Sequence, residues 1–210
     1  MLETRIEIET DGGCVDAWAA CPEHGAWPPV LLLLGRGGLT DRMRTAARRL
    51  AARGYFVLAP DWLARPISER RSDLEACLDH LADERRADDE RVGVAGWGAG
   101  AALALRLAAA RSERIGVAAA FDSPGFGPTA ARDIAERLNG LLHLGYGTQV
   151  PRGLATLEAA LVAAGVDFEA ADYPPDALDL QFRRLLDLLD RALAAPRPRQ
   201  APAERPGAPC

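Results

Sequence analysis

The stretch RVGVAGWGAGAALALRLAAA, from Arg91 to Ala110, joins a short apolar run to an alanine-rich segment through Gly96-Trp97-Gly98-Ala99-Gly100. Val92 to Ala95 predicts a buried strand, and the Ala/Leu run beyond Ala99 predicts a helix. Glycines between them permit a tight turn that lifts the central residue to the helix N-terminus, the geometry of a nucleophile elbow. Here that central residue is Gly98, which has no side chain to react. A dinucleotide-binding loop also uses glycines, but it normally follows the first strand, whereas this one follows about the fifth. No acidic residue closes the next strand, Ile115 to Ala120, as such a loop would require.

Working outward, continuous apolar runs recur at Pro29–Leu34, Tyr55–Ala59, Ile115–Ala120, Leu141–Gly145 and, more weakly, Asp167–Ala171. Runs apolar on both faces belong to strands covered on both sides. Helical segments are predicted between them: Asp41–Arg53, Ile67–Glu84, Ala99–Arg111, Thr129–Leu138, Arg152–Ala164 and Ala177–Ala194. Strand and helix therefore alternate, which predicts an α/β fold with a mostly parallel, doubly wound sheet of about seven to eight strands. Ahead of it, Arg5–Ile8 and Val15–Ala19 alternate polar and apolar residues around Asp11-Gly12-Gly13, the pattern of an antiparallel hairpin at a sheet edge. The reading is one domain over residues 1–195 and a Pro/Arg-rich disordered tail over 196–210.

Composition removes several chemistries. All 25 basic residues are arginine, so no lysine Schiff base, lysine general base or phosphate-loop lysine exists. A net charge of −5 spread along the chain disfavours nucleic acid and anionic membrane as partners. Cys14, Cys21, Cys77 and Cys210 lack C-x-x-C spacing, and no secretory leader or span-length apolar run is present, so the expected location is the cytoplasm. No metal-ligand spacing is found and no cofactor is called for.

With these surroundings the chain resembles the dienelactone hydrolase family of the α/β-hydrolase fold, over roughly residues 1–195. The likeness lies in VLLLLGRGGLTDRMRTAARRLAARGYFVLAPDWLAR (30–65), in the Gly96–Gly100 elbow, in LGYGTQVP (144–151), and in Tyr173-Pro174-Pro175. The resemblance implies a cysteine or serine where Gly98 stands, an aspartate where Gly147 stands and a histidine near Leu178. On that alignment all three catalytic side chains are absent. In a serine protease, deleting the serine or histidine lowers turnover by about 2 × 10⁶, roughly 8 to 9 kcal/mol of transition-state stabilisation.

What remains is a crevice at the C-terminal ends of the parallel strands. Candidate ligand-binding residues are Arg36, Gly37 and Gly38 after the third strand, Asp61 and Trp62 after the fourth, and Trp97, Gly98 and Ala99 at the elbow. Phe121 to Phe126 after the sixth strand and Tyr146 and Thr148 after the seventh complete the set. Arginine and free backbone N–H groups there suit a small anionic or carbonyl-containing ligand. Ser123 is the best-placed substitute nucleophile, although Asp122-Ser123-Pro124-Gly125 is also a good turn sequence. Asp176 and Asp179 sit at a helix start, where they serve either as caps or as a general base. His24, His80 and His143 read as solvated or core residues. Three functions stay open: a non-hydrolytic pseudoenzyme binding a small ligand or a protein partner, including a second copy of itself; an enzyme of a nucleophile-free isomerisation, rearrangement or cyclisation; and a hydrolase with a relocated nucleophile.

Overall fold

The computed structural model describes residues 1–33, 35, 39–61, 70–88, 91–147 and 152–193. Its first two strands, β1 (Leu2–Thr10) and β2 (Gly13–Cys21), form the antiparallel hairpin, with Thr10 facing Gly13 across the turn. The strands β3 (Pro29–Leu33), β4 (Phe56–Pro60), β5 (Val92–Trp97), β6 (Ile115–Phe121), β7 (Leu141–Tyr146) and β8 (Phe168–Asp172) follow. One eight-stranded sheet results, ordered β1-β2-β4-β3-β5-β6-β7-β8. β2 meets β4 antiparallel, and every pairing from β4 to β8 is parallel.

The helices are α1 (Asp41–Ala51), α2 (Arg70–Asp83), α3 (Ala99–Ala110), α4 (Pro128–Arg137), α5 (Arg152–Ala163) and α6 (Leu178–Ala192). Within β3 all five residues are buried, and successive side chains serve opposite faces. Leu31 and Leu33 join a core with Leu78 of α2, Ala104 of α3, Ile134 of α4 and Leu157 of α5. Val30 and Leu32 join another with Leu50 of α1 and Leu185 and Leu189 of α6. The molecule is thus a three-layer sandwich, with α1 and α6 on one face and α2 to α5 on the other. That explains why the central strands read as unbroken apolar runs.

The observed elements match the predicted ones to within a few residues, and the hairpin does occupy an edge. The 196–210 tail lies outside the described residues. Among those described, no helix is long and apolar enough to cross a membrane.

Candidate functional site

β5 runs straight into α3 through Gly98, whose backbone sits at φ 55, ψ −122. Glycine reaches this region without the steric cost that a Cβ brings. The Gly98 N–H donates to the Phe121 carbonyl at 2.8 Å, and the Gly98 carbonyl accepts from the Ala101 N–H at 3.1 Å, so both sides of the turn are held. Two residues earlier, a Cβ on Gly96 would run into the Gly100 backbone, which is why strand and helix can cross so closely. At Gly98 itself a Cβ would meet no described atom within 4 Å. The elbow is therefore intact as backbone, and no described atom crowds its apex.

Beside it lies a cavity of about 550 Å³ at the C-terminal ends of β5, β6 and β7. Its walls come from Trp97, Asp122 and Gly147 at the strand ends, from Arg42 and Ala46 of α1, and from the Pro174–Leu178 turn with Gln181 and Phe182 of α6. None of these is Ser, Cys or His. The Trp97 ring is stacked with Phe121 and Phe182, at 4.9 and 5.7 Å between centroids, and its indole N–H donates to Gln181 Oε1 at 2.8 Å. A large aromatic on the wall is thereby locked in one orientation. Arg49 lies over the Phe182 ring and pairs with Asp179 at 2.6 Å, tying α1 to α6.

Among the described residues only two non-glycines have positive φ, Asp122 at 53° and Asp176 at 59°, and both line this cavity. Aspartate tolerates the left-handed region better than most residues, because its short side chain bonds locally. The Asp122 N–H donates to the Gly145 carbonyl at 2.9 Å. Its carboxylate stands where a side chain at 147 would go: a Cβ on Gly147 would lie 2.6 Å from Asp122 Oδ1.

Beneath the cavity His143 is fully buried in β7, its Nε2 3.0 Å from the Tyr173 hydroxyl and its Nδ1 3.9 Å from Glu169. Burial, reinforced by Arg184, pushes the His143 imidazole down to about 4, and Glu169 only partly opposes this. Glu169 is itself paired with Arg184 and Arg191. The Tyr173 N–H donates to the Tyr146 carbonyl at 2.6 Å, so this network anchors the residue that leads into the turn of the cavity wall.

The structure brings Trp97, Gly147, Asp176 and Leu178 to the cavity, with Gly98 and Ala99 at its elbow. Phe121 supports Trp97 from below, and the Tyr146 hydroxyl donates to Glu158. Ser123 is 1% exposed and donates its hydroxyl to the Pro124 carbonyl at 3.0 Å. Asp61 lies at the end of β4, its N–H donating to the Asp16 carbonyl at 2.7 Å. The cap reading of Asp176 needs correction: the N-cap of α6 is Ala177, with no side-chain cap. Cys77 is inert by burial, which pushes its thiol up to about 12. Arg36, Gly37, Gly38, Trp62 and Thr148 lie outside the described residues. Arg42, Gln181 and Phe182 were not among the expected residues. For Arg42 and Phe182 the one sequence signal is helical period, which places Arg42 with Ala46, and Phe182 with Leu185 and Leu189, on the same faces, and Gln181 carries none. Among the described residues no group of three or more His, Cys, Asp or Glu could hold a metal ion.

Residues 15–73 match the sequence model of the "Dienelactone hydrolase family". A curated relative, the "Putative carboxymethylenebutenolidase" of Methylorubrum extorquens, is 28% identical over 122 residues, which make up 47% of this chain and 42% of that protein. The chain is thus matched to less than half the length of this relative. Among solved structures, a "Putative Dienelactone Hydrolase" from Klebsiella pneumoniae superposes with a TM-score of 0.79 at 21% identity, covering 90% of this chain and 98% of that one. A dienelactone hydrolase from Anabaena variabilis gives 0.76 at 20% identity, covering 91% and 98%. The structural likeness shows that the protein has the α/β-hydrolase fold, and over residues 15–73 its sequence is similar to the dienelactone hydrolase family.

Proposed function

We propose that this protein binds a small ligand in the crevice beside Gly98 and does not hydrolyse esters through a triad. The observation that carries this reading is the elbow: its backbone keeps the strained turn that presents a residue to the crevice, and the residue presented is glycine, with open space above it among the described atoms. A second support is the wall, whose described side chains offer aromatic surface, carboxylates and a guanidinium but no hydroxyl, thiol or imidazole. Ser123 is a poor substitute, buried and committed to its own turn.

The test is p-nitrophenyl acetate turnover by the wild type and by Ser123→Ala, set against buffer, together with a thermal-shift screen of small aromatic and aliphatic compounds. Equal, background-level rates with at least one stabilising compound recovered unchanged are expected. Turnover a thousandfold or more above background would overturn the reading, and its loss in Ser123→Ala would identify the relocated nucleophile.

A further inference from the structure

We infer that Asp122 is the specificity-determining residue of the crevice, and that it selects ligands carrying a protonated amine over those carrying a carboxylate. This rests on the crevice being a ligand site.

The argument begins with volume. Asp122 and residue 147 end neighbouring parallel strands, β6 and β7, and compete for the same space at the crevice wall. A Cβ at 147 would stand 2.6 Å from Asp122 Oδ1, well inside contact distance, so the carboxylate keeps its place only because position 147 is glycine. The backbone is arranged to the same end. Asp122 takes φ 53, held by its N–H to the Gly145 carbonyl, and it directly follows Phe121, whose carbonyl fixes the Gly98 N–H. The backbone that bears the carboxylate is thus fastened one residue from the bond that sets the elbow, and the residue is exposed at the cavity rather than folded into the core.

An ionised carboxylate only accepts hydrogen bonds, so the group it recognises must donate. A cationic donor adds charge to the bond and roughly doubles its strength relative to a neutral one. The rest of the wall supplies apolar surface from Trp97, Pro174, Leu178 and Phe182, which suits a compact body behind that donor, and its other described charged groups are Arg42 and Asp176.

Three probes with the same aromatic body separate the possibilities: 2-phenylethylamine, 2-phenylethanol and 3-phenylpropionate, titrated by calorimetry against wild type, Asp122→Asn and Gly147→Ala. The wild type is expected to bind the amine at least tenfold more tightly than the carboxylate, with the alcohol between them. Asp122→Asn should remove that preference. Gly147→Ala should mimic it, because the added methyl takes the space that the carboxylate occupies, and both variants should keep a cooperative melt. Equal binding of amine and carboxylate by the wild type, or an amine preference unchanged in both variants, would overturn the assignment of Asp122 while leaving the crevice a ligand site. Failure of all three probes to bind the wild type, with no hit in the wider thermal-shift screen, would overturn both.

Discussion

Two glycines two residues apart show how differently one residue type can be required. Gly96 is needed for space, since a Cβ there collides with the Gly100 backbone, which has no side-chain freedom to yield. Gly98 is needed for conformation, since a Cβ there meets no described atom but φ 55 is costly for an L side chain. Gly96→Ala should therefore destabilise by about 3 kcal/mol or more through overpacking of β5 against α3. Gly98→Ala should cost about 1 to 3 kcal/mol through backbone strain alone. Urea denaturation of both variants checks the order, and a larger loss in Gly98→Ala would contradict it. The glycine-rich turn was legible in the sequence. Which glycine answered to which constraint was not, because the Gly96–Gly100 approach exists only once strand and helix have packed.

At the scale of elements, the crevice depends on how α6 is bolted to the end of β5. Trp97 and Gln181 are 84 residues apart in sequence, yet the indole N–H and the amide oxygen meet at 2.8 Å, with the Trp97 ring stacked on Phe182. A double-mutant cycle of Trp97→Phe and Gln181→Leu should give a coupling of about 0.5 to 1.5 kcal/mol, the net worth of one partly buried hydrogen bond. Additive losses would mean that α6 is held by apolar contact alone. The helices themselves were visible from their period, as the burial of Phe182, Leu185 and Leu189 on one side of α6 shows. Gln181 carried no such signal. Its burial follows from one partner, and nothing local to DLDLQFRRLL names that partner.

For the molecule as a whole, acid sensitivity should trace to His143. Its imidazole is held neutral, at about 4, below the ordinary histidine value of about 6.5, chiefly by burial. The unfolded chain therefore takes up a proton first as pH falls. Stability is therefore undiminished by this group above about 6.5 and is lost progressively as pH falls to about 4, by up to about 3 kcal/mol. Chemical denaturation of wild type and His143→Gln between pH 7 and 4 should show a shallower decline in the variant, and parallel curves would refute this. Taken alone, the sequence determined the α/β class, the hairpin-led sheet and a glycine at the elbow, because strand and helix periods and turn chemistry are properties of neighbouring residues. Tertiary structure alone decided that the Asp122 carboxylate takes the space left by Gly147, that Arg42 and Gln181 join one wall, and that His143 is sealed beneath it. Those relations hold between strand ends and helices distant along the chain, where only packing decides which atoms compete for the same volume.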